Sequence, residues 1–121
     1  MNKKILIIDD EPDMSTLLKA RLEKNGYEAI AAKSGYEGLY KYITEKPALI
    51  LLDLMLPDLD GYEVCREIRR RLQDEQIPII MLTAKSQDSD RIKGKVVGAQ
   101  IYMTKPFKPE ELISAVKKAL G

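Results

Sequence analysis

Five polar residues sit where apolar runs end in this chain: Asp9 and Asp10 after "KILII", Asp53 after "ALILL", Thr83 after "IIML", and Lys105 shortly after "QIYM". Three carboxylates crowded into one crevice would repel one another and raise one another's pKa values unless a cation were shared among them. Oxygen-only ligands select a hard ion, and the Asp-rich spacing of an EF-hand loop is absent. So few carboxylates leave positions for water and a phosphoryl oxygen, which favours Mg²⁺. Beside such an ion, the Thr83 hydroxyl and the Lys105 ammonium are the donors that a phosphoryl group would still need. The set points to phosphoryl transfer onto an aspartate, a form of nucleophilic catalysis. Histidine is absent, so Ser-His and Cys-His pairs are excluded and no ordinary His and Cys zinc site can form.

Each residue also has a plainer reading. A lone Asp at a strand end is usually a cap or turn former, and Asp13 and Asp58 are read that way. Glu11 and Asp13 would serve the start of the first helix, leaving Asp9 and Asp10 for chemistry. Cys65 lies among apolar helical positions and reads as core packing. Tyr36, Tyr40 and Tyr42 are read as core or half-buried packing. Lys93, Lys95, Lys108, Lys117 and Lys118 read as a solvated surface.

Short apolar runs alternating with helical patterns would supply the scaffold. "KILIID" is a continuous apolar strand of the kind buried on both faces of a parallel sheet. Pro12 suits the first turn of a helix carrying Met14, Leu17, Leu18 and Leu22, stopped by Gly26. "YEAIAA" is a weaker strand. Ser34 and Glu37 form a capping box for a second helix, with Tyr36, Leu39, Tyr40 and Ile43 as its expected apolar stripe. "ALILL" follows, then Asp60 and Glu63 as a second capping pair before a helix with Val64, Cys65, Ile68 and Leu72 on one face. "IPIIML" ends at Thr83. A fourth helix around Ser89 to Val97, interrupted by Gly94, is the weakest element and is expected to be the most mobile. "QIYM" leads through "TKPFK" to a final helix with Pro109 in its first turn and Leu112, Ile113, Val116 and Leu120 as its buried stripe.

Five strands alternating with five helices predict an α/β fold, a doubly wound parallel sheet with helices on both faces. In such sheets ligands bind beyond the carboxyl ends of the strands, where strand order reverses. The flavodoxin-like order 2-1-3-4-5 places the second strand, whose end at Ala31 and Ala32 is chemically plain, at an edge. The four polar ends then meet.

The 121 residues suffice for one domain with a proper core, and residues 1–121 are read as a single domain. A net charge of +1 supplies no global field toward nucleic acid or an anionic membrane. No apolar run approaches the roughly 20 residues of a membrane span, and the N-terminus lacks the features of a signal peptide. A single cysteine cannot form an internal disulfide, which fits a reducing cytoplasm. Neither G-x-G-x-x-G nor a P-loop follows the first strand, which argues against dinucleotide or NTP binding.

The chain resembles the receiver domain of bacterial two-component response regulators. The resemblance covers essentially its whole length and rests on "DDE" at Asp9 to Glu11, "DLMLPDLDG" at Asp53 to Gly61, "LTA" at Leu82 to Ala84 and "YMTKPF" at Tyr102 to Phe107. It implies that Asp53 accepts a phosphoryl group from a phosphohistidine on a sensor histidine kinase or histidine phosphotransfer protein. It further implies that Asp10, Asp53 and the backbone carbonyl of Met55 bind Mg²⁺ directly, with Asp9 acting mainly through a metal-bound water. Thr83 would bond the phosphoryl group and Lys105 would pair with it. The peptide from Lys105 to Pro106 would be cis. Thr83 and Tyr102 would form the switch, reported on a face made by the fourth helix, fifth strand and fifth helix to a downstream output protein or domain, or through a phosphorylation-dependent homodimer. Met55 and Lys85 lie at variable positions that tune dephosphorylation. Where the family often has acidic residues after the "GA" before the fifth strand, this chain has Gln100 and Ile101, a departure on the output surface. The rival readings are a receiver-like interaction module without phosphorylation and an aspartyl-nucleophile phosphatase. The second is disfavoured because Met55 stands where such enzymes place their acid/base Asp.

Overall fold

The computed structural model describes residues 2–83 and 98–121, so the expected helix around Ser89 to Val97 lies outside the described residues. The strands are β1 (Lys4–Ile8), β2 (Glu28–Ala32), β3 (Leu49–Asp53), β4 (Ile79–Thr83) and β5 (Ile101–Thr104). All four pairings are parallel, and the order is β2-β1-β3-β4-β5. The helices α1 (Pro12–Lys24), α2 (Gly35–Glu45), α3 (Gly61–Arg66) and a C-terminal helix (Pro109–Leu120) connect or follow them.

The continuous apolar runs are explained by two cores, one on each face. Ile5, Ile7, Leu49, Leu51, Ile80 and Leu82 point toward α1 and the C-terminal helix, with Leu18, Leu22, Leu112, Ile113 and Val116 packed on them. Their alternates Leu6, Ile8, Ile50, Leu52, Ile79 and Met81 meet Val64, Cys65 and Ile68 on the other face. A truncation such as Leu51→Ala would leave a cavity and cost about 2–5 kcal/mol. Cys65 is buried in this second core, as its spacing predicts.

Three helical stripes differ from expectation. On α2, Tyr36, Tyr40 and Ile43 are exposed at 63%, 66% and 54%, so the tyrosine reading fails for Tyr36 and Tyr40. The buried face is instead marked by Gly35 and Gly38, with Leu39 and Tyr42 packed against the core. A Cβ at Gly38 would come within 2.5 Å of Ile8 Cδ1, and one at Gly35 within 2.8 Å of Leu59 Cβ. The helix sits so close to the sheet that only glycine fits, and its bulky residues turn outward. On α1, Leu18 and Leu22 are buried and Met14 packs against them, whereas Leu17 is exposed. Leu72 also leaves its expected face. After α3 the chain continues as a π-helical segment, Glu67–Arg71, with Leu72 N–H donating to Glu67 O at 2.9 Å. The wider turn shifts the angular spacing so that Leu72 no longer follows Ile68.

A polar network ties α2 to the region before β5. The Tyr42 hydroxyl donates to Asp74 Oδ2 at 2.5 Å. Arg69 donates to the carbonyls of Asp74 and Gly98. Gln100 Oε1 accepts from Arg69 Nη2 at 2.9 Å and from Ile79 N–H at 2.8 Å. Gln100 therefore serves as an acceptor shared by the start of β4 and Arg69 of the segment after α3.

Candidate functional site

The site lies at the carboxyl ends of β1, β3, β4 and β5. Strand pairing brings Ile8 beside Leu52, Asp53 beside Leu82 and Thr83 beside Thr104, so the residues just beyond converge. Asp9, Asp10 and Asp53 each offer one carboxylate oxygen within 4.8 Å of the others. Asp9 and Asp53 are buried and Asp10 is exposed, so the cluster opens to solvent on one side. Thr83 is buried at the end of β4.

Lys105 reaches the cluster because its backbone is fixed: its N–H donates to the Thr83 carbonyl at 2.6 Å. Its Nζ then lies 3.1 Å from Asp53 Oδ2 and 3.4 Å from Asp9 Oδ2. Glu11, 63% exposed at the side chain, stands at the periphery with Oε1 3.9 Å from Nζ. The expected cis peptide between Lys105 and Pro106 is present.

Local turns aim the carboxylates. Asp9 Oδ1 accepts the Glu11 N–H at 2.9 Å, and Asp53 Oδ1 accepts the Met55 N–H at 3.0 Å. Each contact uses one oxygen and leaves Oδ2 toward Lys105. Burial, reinforced by the charge of Asp53, pushes the Asp9 carboxyl above its ordinary pKa despite the Glu11 N–H and Lys105, which oppose the shift. For Lys105, burial works to lower the ammonium pKa, but hydrogen bonding and charge from Asp53 and Asp9 outweigh it and the net shift is upward. Among the described residues the pocket thus holds one cation, Lys105, against a surplus of negative charge, an arrangement that a divalent ion would relieve.

The donor set fits such an ion. Oxygens bound to one Mg²⁺ at about 2.1 Å lie up to about 4.2 Å apart. A spread of 4.8 Å therefore needs only slight closure or one bridging water. Oxygen ligands without sulfur or imidazole match a hard cation. Asp13 lies in the first turn of α1, outside the cluster, as read from its position. Glu11 occupies the N-cap position of α1 but makes no side-chain capping bond.

Asp58 is the residue whose reach the sequence concealed. Its Oδ1 accepts from Gly35 N–H at 2.8 Å and its Oδ2 from Tyr36 N–H at 3.0 Å. It therefore caps α2 from across the fold, jointly with Ser34, which accepts from Glu37 N–H. Spacing within α2 could not have shown this, because the rest of α2 and the whole of β3 lie between the donor N–H groups and Asp58. Glu37 completes its half of the expected box one residue early, accepting from Lys33 N–H. Asp60 caps α3 through Glu63 N–H, while the Glu63 carboxylate pairs with Arg66 instead of returning to the cap.

Gly61 sets the floor of the site. A Cβ there would lie 2.7 Å from the Asp53 carbonyl oxygen and 2.9 Å from Leu54 Cα. The start of α3 is thereby pressed directly against the main chain of Asp53.

Known proteins agree with this architecture. The profile of the family described as "Response regulator receiver domain" matches residues 5–117. The chain is 52% identical over 120 residues to the alkaline phosphatase synthesis transcriptional regulatory protein PhoP of Bacillus subtilis (strain 168), covering 99% of this chain and 49% of that protein. It is 48% identical over 118 residues to the probable transcriptional regulator ycf27 of Porphyridium aerugineum, covering 98% and 48%. It thus spans about half the length of the curated relatives it matches. Among solved structures, the Vibrio cholerae chemotaxis protein CheY4 superposes with a TM-score of 0.93 at 31% identity, over 99% of this chain and 100% of that one. The BeF3-activated N-terminal receiver domain of Klebsiella pneumoniae RstA does so with a TM-score of 0.89 at 33% identity, over 97% of each chain. A family match over nearly the whole chain, on a 2-1-3-4-5 sheet whose strand ends gather three carboxylates and a lysine, makes this chain a member of the response regulator receiver domain family.

Proposed function

We propose that this chain takes a phosphoryl group from a partner's phosphohistidine onto Asp53 and relays that event to an output partner. An oxygen of the Asp53 carboxylate attacks phosphorus as the bond to the imidazole nitrogen breaks, and the nitrogen keeps the electron pair. The observation that carries this reading is the convergence of Asp9, Asp10, Asp53 and Lys105 at the strand ends. Asp10, Asp53 and the Met55 carbonyl would hold Mg²⁺ directly, with Asp9 acting through a water. The ion would supply positive charge to the phosphoryl oxygens as charge shifts onto them. Lys105 pairs with a phosphoryl oxygen, exchanging part of its present contact with Asp53 for it. The Thr83 hydroxyl donates to another.

The residues serve a single self-directed turnover, gain and later loss of the phosphoryl group, and not catalysis on a separate substrate. Thr83 and Tyr102 form the switch, biasing the surface around β5 and the C-terminal helix. The donor is a sensor histidine kinase or a histidine phosphotransfer protein, since this chain has no histidine of its own. The output is a separate protein, a further domain or a phosphorylation-dependent homodimer. The relatives named as transcriptional regulators, each about twice the matched length, favour control of transcription. Nucleic acid would then be bound outside this domain, whose net charge is only +1. Among the described residues no helix is long and apolar enough to cross a membrane; with the single buried thiol of Cys65, that supports a cytoplasmic site of action.

Incubation with acetyl phosphate and Mg²⁺ followed by intact mass measurement tests the reading. The wild type should gain one covalent phosphate. Absence of the adduct, or an undiminished adduct on Asp53→Asn, would refute it.

A further inference from the structure

Thr104 closes β5 with a hydroxyl oxygen that is sealed from solvent and has no hydrogen-bond partner among the described residues. Buried hydroxyls in folded proteins are nearly always paired, because an unpaired one forfeits its hydration without replacement. An orphan beside a reactive site therefore points to a second state in which it is satisfied.

Its neighbours identify the partner. In the parallel register of β4 and β5, Met81 lies beside Tyr102 and Thr83 beside Thr104. Side chains alternate along a strand, so these four share one face of the sheet. Met81 and Tyr102 belong to the core on that face. Thr104 is thus the lateral neighbour of Thr83 and follows Tyr102 on its own strand. It therefore neighbours both positions assigned to the switch on the same face of the sheet.

A threonine oxygen that donates its proton keeps two lone pairs as acceptors. We propose that Thr104 is a positioning residue for Thr83: in the phosphorylated protein its hydroxyl donates to the Thr83 oxygen, while Thr83 donates to the phosphoryl group on Asp53. This rests on the reading of Asp53 as the phosphoryl acceptor. The chain from Thr104 through Thr83 to a phosphoryl oxygen is cooperative, since each bond polarises the next. Pairing the orphan only in the phosphorylated arrangement tilts the equilibrium toward that arrangement.

Two substitutions in the full chain separate this role from packing. Thr104→Val keeps the shape and removes the hydroxyl, and Thr104→Ser keeps the hydroxyl. Thermal unfolding is followed without additions and with Mg²⁺ and beryllofluoride, an unreactive mimic of a phosphoryl group on a carboxylate. Without additions, Thr104→Val should unfold at the wild-type temperature or above it, because an unpaired buried group has been removed. The rise in Tm on adding beryllofluoride should be smaller than the wild-type rise by roughly 3–6 °C, and half-saturation should need about fivefold more of it. Thr104→Ser should retain the wild-type response. A full response in Thr104→Val, or a loss of stability already present without additions, would overturn the proposal. If the wild type itself gives neither a beryllofluoride response nor an acetyl phosphate adduct, the reading of Asp53 falls and this inference falls with it. A responding wild type beside an equally responsive Thr104→Val removes the threonine pair alone.

Discussion

Asp53 ends β3 and Asp58 lies five residues on, in the connection to α3, and their surroundings differ in kind. Asp58 is saturated by backbone: Gly35, Tyr36 and Leu59 N–H groups all donate to it, and despite some opposition from burial those donors hold its carboxyl below the ordinary pKa. Among the described residues Asp53 receives one backbone N–H, from Met55, and turns its other oxygen to the Lys105 ammonium among further carboxylates. Fixed dipoles make a carboxylate structural because nothing can replace them without unfolding a turn. A lysine on a flexible stem can yield to a metal or a phosphoryl oxygen, which leaves its carboxylate open to exchange. What solvates an aspartate, more than how deeply it is buried, divides the two roles.

The largest test of that division is chemical. Asp53→Asn should abolish covalent phosphoryl uptake from acetyl phosphate, and Asp58→Asn should leave it intact by mass spectrometry. Equal losses would collapse the distinction. Next in size, Gly61→Ala should cost about 1–3 kcal/mol in urea unfolding. It should also slow phosphoryl uptake, because the added carbon meets the Asp53 carbonyl. Smaller again, Asp58→Ala should lose about 0.5–2 kcal/mol, the usual cost of an N-cap, with uptake preserved.

The smallest effect is the sharpest, since the two kinds of carboxylate have opposite pH linkage. A depressed carboxyl such as Asp58 contributes stability above its unfolded pKa, near 3.8, and loses it as pH falls through the lower folded value. Asp74 behaves alike: burial opposes the shift, but the Tyr42 hydroxyl and the Ile77 and Gln76 N–H groups prevail. Asp9 is raised, so its linkage reverses, and stability is lost as pH climbs from 3.8 through the folded value. In metal-free buffer Asp9→Asn should therefore raise the urea midpoint at neutral pH, while Asp58→Asn should lower it and flatten the acid limb. On the alkaline side Tyr42, pushed up to about 12 by burial and its bond to Asp74, should titrate late, and Tyr42→Phe should remove that late phase from the phenolate absorbance.

The strands and their order were legible because continuous apolar runs demand burial on both faces, and polar residues at four of their ends demand a shared crevice. Asp9, Asp10, Asp53 and Lys105 could be placed together on that ground. The helical faces were less legible. Periodicity assigned Tyr36, Tyr40 and Ile43 to the core, yet a close-packed helix shows its inner face by what is missing, and Gly35 with Gly38 was the signal. Leu72 escaped because the π-helical turn before it is not written in any local pattern. The reach of Asp58 to α2 and the orphaned hydroxyl of Thr104 depend on contacts between distant segments, which spacing along one chain does not encode.

The glycines of α2 bear on the direction of movement. With α2 seated on Ile8 through Gly38 and on Leu59 through Gly35, and with Asp58 fastened to its first turn, the acceptor connection has a hard wall on that side. Gly61 closes the floor in the same way. Under the proposed phosphorylation, new charge at Asp53 would find no slack toward either, and the displacement would vent toward β4 and β5, where Thr83 and Thr104 are register neighbours. On that reading the site would work like a vice with one fixed jaw, its glycines setting which jaw can move.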